Sequence, residues 1–151
     1  VGAASGANRP LLPLEKFIFN NPNNVVNANN VSPLDLKFKR IQSMTQLESE
    51  LQTSSNIVML DFYADWCTAC IEMEKLTFAD ISVQAKLSNL TVLQIDVTDN
   101  SLEDQQMMKK FQLFGPPAIL FFDKNDQEIK NSRVIGYMSA EQIKRHLDDI
   151  I

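Results

Sequence analysis

The stretch Asp61-Phe62-Tyr63-Ala64-Asp65-Trp66-Cys67-Thr68-Ala69-Cys70 decides the fold. Residues 57–63 crowd β-branched and aromatic side chains without polar alternation, the pattern of a buried strand. Residues 64–66 read as a short turn, and Cys67 opens a helix predicted to run through Leu76. Two cysteines three apart on a helix share one face, with Cβ atoms about 5–6 Å apart. A disulfide needs slightly less, so the pair can close and reopen with little backbone movement. The first helical turn adds unpaired N–H groups and the positive end of the helix dipole, both of which stabilise a thiolate. The stretch therefore implies exchange of an electron pair with other dithiols.

Composition sets the bounds around it. A chain of 151 residues is long enough for one domain with a real core plus an appendage. It is 44% hydrophobic and 22% charged, ordinary for a globular chain. No run of 18 or more apolar residues is present, so this piece is not expected to span a membrane. The net charge of −5 and the lack of a basic stripe argue against nucleic acid as a partner. The first residue is Val1 and no signal-peptide pattern follows, so the chain reads as a piece of something longer.

In chain order, residues 1–33 differ from the remainder and are expected to form an N-terminal linker or extension. Seven of the eleven residues from Asn20 to Asn30 are asparagine, which favours turns and solvated coil. Phe17-Ile18-Phe19 is too apolar for a pure spacer, which leaves docking on a domain surface as the other reading. Residues 34–151 are expected to form the folded domain. Leu34, Leu36, Phe38 and Ile41 set against Asp35, Lys37 and Lys39 suggest a half-buried strand. Ser43 with Gln46 suggests a capping box opening a helix that ends near residues 53–56. A helix capped by Asp80, a strand over residues 91–97 and a helix over residues 101–111 follow. Residues 117–122 and 128–135 read as a hairpin turned at residues 123–126, and Ser139 caps a last helix to Ile150. The order gives parallel units first and a hairpin last. That is α/β: a mixed central sheet with helices on both faces.

A strand carrying aspartate, an aromatic-Ala-x-Trp-Cys-x-x-Cys helix, and Gly-x-Pro before a terminal hairpin together resemble the thioredoxin fold. Within that superfamily, residues 61–70 with Glu72, Glu74-Lys75 and Thr77-Phe78 resemble the C-terminal domain of the DsbD family, the bacterial inner-membrane thiol:disulfide interchange proteins. The likeness covers roughly residues 34–150. Thioredoxins usually place Gly-Pro between the cysteines, where Thr68-Ala69 stands here, and a helix-kinking proline where Lys75 stands. The resemblance implies a protein-disulfide reductase domain with no bound cofactor, on the periplasmic side of the inner membrane within a larger membrane protein. It would take electrons from a membrane-embedded cysteine pair and pass them to a periplasmic partner, a route that serves cytochrome c biogenesis in that family. Two other readings stand beside it: an oxidase or isomerase of secreted proteins, and a redox-inert peptide-binding module.

Each candidate residue has its own reason. Cys67, nearest the exposed turn, is the expected attacking thiolate, and Cys70, a turn deeper, the resolving thiol. A four-residue structural loop would stabilise little. A zinc site would need two ligands beyond the cysteine pair, and the sequence offers only His146, in the last helix, and no further cysteine, so no metal is expected. Asp61 interrupts an apolar strand, and a lone buried carboxylate costs several kcal/mol unless paired or protonated. In thioredoxins the matching aspartate lies beneath the cysteines and assists proton transfer to the resolving thiol. Glu74, four residues beyond Cys70, lies on the cysteine face and is expected to raise the Cys67 pKa; a solvated face shared with Glu72 and Lys75 is the alternative. By resemblance Pro117 takes the cis position of a substrate-binding loop, and Pro116 before it lacks an N–H for a partner strand. Trp66 and Tyr63 are candidates for the apolar rim around Cys67. His146 reads as a surface helix residue, and Met107-Met108 as core.

Overall fold

A computed structural model describes residues 38–151. The extension over residues 1–33, and residues 34–37 of the first expected strand, lie outside the described residues. The order is β1 (Lys39–Ile41), α1 (Met44–Thr53), β2 (Val58–Tyr63), α2 (Thr68–Glu72), a π-helical turn (Met73–Thr77), α3 (Ile81–Leu87), β3 (Thr91–Asp96), α4 (Leu102–Lys110), β4 (Ala118–Phe122), β5 (Val134–Ile135) and α5 (Ala140–Ile150).

The described strands form one sheet in the order β1-β3-β2-β4-β5. β3 pairs in parallel with both β1 and β2, while β4 runs antiparallel to β2 and β5. Side-chain alternation divides the core into two layers. Leu60 and Phe62 of β2, Leu93 and Ile95 of β3 and Leu120 of β4 face the layer closed by Leu47 and Leu51 of α1 and Met107 and Met108 of α4. Met59, Val92, Ile119 and Phe121 face the layer closed by Val83 and Leu87 of α3 and Ile143 and Leu147 of α5. Each such side chain taken fully from water contributes about 1.5–3 kcal/mol. Phe111 sits edge-on to both Phe62 and Phe122, with centroids 6.1 Å apart in each pair. The central strand β2 is buried along its whole length, so anything polar in it must be satisfied from within.

Several local expectations are corrected. Phe38 packs into the second layer and Ile41 into the first, as a spacing of three requires in a strand. Gln46 does not close a box on Ser43: Ser43 accepts the Gln46 N–H, but the Gln46 side chain accepts the Gln42 N–H instead. True capping boxes occur at Ser101 with Asp104 and at Ser139 with Gln142. The predicted eight-residue strand 128–135 survives only as a bridge from Glu128 to Phe122 and the two residues of β5. Between them Asn131 adopts a left-handed conformation, the Ser132 hydroxyl donates to the Ile129 carbonyl, and Arg133 pairs with Glu128. These local bonds displace the ladder. His146 is half-buried, tilted over the Phe121 ring and bonded to the Ser132 carbonyl, not a free surface residue.

Candidate active site

The site sits over the C-terminal end of β2. Asp65 and Trp66 form the turn, closed by the Cys67 N–H donating to the Ala64 carbonyl at 3.1 Å. Cys67 is the N-cap of α2, so the helix begins at Thr68, one residue later than expected. Its sulfur accepts the Cys70 backbone N–H at 3.1 Å, so an orphan donor of the helix start is spent on Sγ. Cys67 and Cys70 are joined as a disulfide with Cα atoms 5.2 Å apart. Both are buried, at 6% and 4% exposure. That N–H and the positive end of the helix dipole are groups that stabilise a thiolate.

Asp61 lies six residues before Cys67, in β2, on the side that faces the second core layer. It is 4% exposed, and its Oδ2 accepts one hydrogen bond, from Gln94 Nε2 at 2.9 Å. Gln94 stands directly across from it in the parallel register of β2 and β3. Burial pushes the Asp61 carboxyl up to about 7, against the pull of Gln94, and the charge of Glu74 adds to the rise while Arg40 offsets it. Asp61 is thus poised to hold or release a proton near neutral pH. Glu74, half-buried in the π-helical turn, is itself raised by burial, with Arg40 opposing and Asp65 reinforcing. Glu72 and Lys75 are exposed, so the three do not share one solvated face.

The remaining candidates separate. Trp66 is 59% exposed, its indole N–H donating to the Thr98 carbonyl at 2.9 Å. Tyr63 is buried core, with the Arg40 guanidinium 5.3 Å above its ring. The Pro116–Pro117 bond is cis, and Pro117 leads into β4, where Ala118 opposes Phe62. The proline pair therefore stands on the β4 side of the β2 end, while Trp66 is tied to the β3 side. The Pro117 carbonyl accepts the Gly136 N–H at 3.0 Å, and neither proline offers a donor. Among the described residues no group of three or more His, Cys, Asp or Glu side chains is placed to hold a metal ion.

The family model for a thioredoxin-like domain matches residues 44–151. The chain belongs to the thioredoxin-like family. The thiol:disulfide interchange protein DsbD of Actinobacillus pleuropneumoniae serotype 5b is 47% identical over 116 residues, 76% of this chain and 20% of that protein. DsbD of Pectobacterium atrosepticum is 50% identical over 112 residues, 74% of this chain and 19% of that one. The chain spans about a fifth of the length of these relatives. The oxidised C-terminal domain of Neisseria meningitidis DsbD superposes with a TM-score of 0.62 at 27% identity, over 75% of this chain and 98% of that domain. Where thioredoxins kink this helix with a proline, the present member changes pitch through the π-helical turn Met73–Thr77.

Sequence reasoning missed three supporting residues. Gln94 carried a signal, since it is the polar interruption of the β3 run as Asp61 is of β2. Arg40 and Thr98 carried none, because each acts across the sheet on residues more than 20 positions away.

Proposed function

We propose that the chain is the thiol–disulfide exchange domain of a larger protein and works as a protein-disulfide reductase. The observation that carries this reading is the Cys67–Cys70 disulfide at the start of α2, with Cys67 Sγ on the Cys70 N–H and a protonatable Asp61 in the strand leading to it. The similarity to proteins named for thiol:disulfide interchange supports it. In the reduced domain the Cys67 thiolate attacks one sulfur of a partner disulfide, forming a mixed disulfide and expelling the partner's second sulfur as a thiolate, which takes a proton. Cys70 then gives its proton to Asp61, directly or through water, and attacks Cys67 Sγ. The partner leaves as a dithiol carrying two electrons and two protons, and the domain is left oxidised. An upstream dithiol restores it by the reverse steps. The upstream donor is a membrane-embedded cysteine pair and the acceptor a periplasmic disulfide protein. An oxidising compartment requires such continual supply.

The proline loop and Trp66 flank the reacting sulfur and form the docking rim. With no N–H at Pro116 or Pro117, this part of the rim has no donor to return to a partner strand, which restricts partner choice. Cys70→Ala tests the route. It leaves Cys67 able to attack but removes the resolving thiol, so a mixed disulfide through Cys67 accumulates with the acceptor and is released by reductant. No trapped species with either donor or acceptor would sink the exchange reading.

A further inference from the structure

Thr98 lies two residues beyond β3, and each of its polar groups is committed. Its N–H donates to Asp96 Oδ1 at 2.9 Å, and its hydroxyl donates to the same oxygen. With that proton directed at Asp96, the hydroxyl oxygen accepts the Asp65 N–H at 2.9 Å. Its carbonyl accepts the Trp66 indole N–H at 2.9 Å. Thr98 thus holds the two residues immediately before Cys67, one by the backbone and one by the side chain. Asp96 is fixed in turn by Arg40 Nη1 at 2.7 Å, and Arg40 covers the ring of Tyr63, the last residue of β2. The Val97 N–H donates to the Tyr63 carbonyl at 2.7 Å, so both ends of the turn are tied to the same short segment.

The consequence lies in geometry. Cys67 Sγ receives the Cys70 N–H only while the turn delivers Cys67 at the N-cap with its observed backbone direction. Nothing else among the described hydrogen bonds fixes the backbone of Asp65 or the indole of Trp66. We infer that Thr98 is a positioning residue for thiol–disulfide exchange: its hydroxyl and carbonyl set the entry of the Cys67 turn and the orientation of the Trp66 ring beside the reacting sulfur. This inference rests on the exchange function proposed above. Asp96 is kept ionised because, although burial pushes its carboxyl up, the Thr98 hydroxyl and N–H and the Arg40 guanidinium outweigh that and hold it below the usual carboxylate range. The Thr98 hydroxyl therefore stays turned toward Asp96, and its lone pair toward Asp65.

The test compares Thr98→Val, which deletes the hydroxyl at constant shape, with Thr98→Ser, which keeps it. Three quantities are read in the reduced chain: the second-order rate with oxidised glutathione, the Cys67 thiolate titration by ultraviolet absorbance, and the emission of Trp66, the single tryptophan. Thr98→Val is expected to slow exchange about fivefold, the equivalent of one net hydrogen bond, and to shift both the titration and the emission. Thr98→Ser should restore all three. A purely structural role would lower the unfolding midpoint of Thr98→Val and leave the three readouts unmoved at 25 °C, which overturns the inference. Failure of serine to rescue overturns it too. Thr98→Ala supplies the same comparison should the valine variant not fold. A wild-type chain that does not react with glutathione at all refutes the exchange function instead, so the two failures are distinct.

Discussion

Asp61 is the residue on which chemistry and stability meet. Its carboxyl is raised by burial to about 7 from 3.8, so between those values the native chain holds a proton that the unfolded chain has lost. Stability therefore falls as pH rises from about 4 to about 7, then levels off once Asp61 ionises in the folded state. The full shift corresponds to a penalty on the order of 4 kcal/mol. Asp61→Asn removes it: the variant should gain stability over wild type at pH 8 and little at pH 4, read by urea unfolding at both. The same variant should slow release of a mixed disulfide, since Cys70 loses its proton acceptor. Glu74 acts on this group through charge. Glu74→Gln should lower the Asp61 pKa, and with it that of Cys67, seen as an earlier thiolate titration. An unchanged titration removes Glu74 from the mechanism. Asp61 was legible because one carboxylate in a run of apolar residues has a desolvation cost that composition alone displays. Its partner Gln94 was legible only as a second interruption, since pairing the two requires the β2–β3 register.

At the scale of the element, α2 and its continuation are the instructive case. Residues 67–76 read as one helix, yet α-helical spacing ends at Glu72 and a π-helical turn carries the chain to Thr77. No local residue announces this. The Thr77 side chain is fully buried, and its hydroxyl donates to the Met138 carbonyl at 2.6 Å, a tertiary bond 61 residues away. Thr77→Val should cost about 1–2 kcal/mol by leaving that carbonyl without its donor, measured by urea denaturation. A loss within experimental error would show that the turn is held by packing of Met73 and Phe78 alone. The failed strand over residues 128–135 teaches the same lesson. Its residues alternate only over Glu128-Ile129-Lys130 before the polar run Asn131-Ser132-Arg133, and those three residues take up local conformations and bonds outside the ladder.

The whole molecule was largely legible because its signals are long and redundant. Three central strands read as apolar runs, Asp80 and Ser139 each marked a helix start that the structure keeps, and of Asn100 and Ser101, both candidates for the cap between them, Ser101 takes the position. The mixed sheet followed from element order and handedness alone. What no pattern could supply was the cross-sheet scaffold of Arg40, Asp96 and Thr98, in which residues distant in sequence hold the cysteine turn. These parts converge on one quantity. On the function proposed above, a helix N-terminus and a Cys70 N–H at Cys67 favour the thiolate, while the charges of Glu74 and of Asp61 once ionised oppose it, and the balance sets how readily the pair gives up electrons. The reduction potential of Cys67–Cys70, obtained by equilibration against a defined thiol buffer, measures that balance. The account predicts a value at or below about −220 mV, that of a reductant supplied from upstream. A value near about −120 mV would make the domain an oxidant and contradict it.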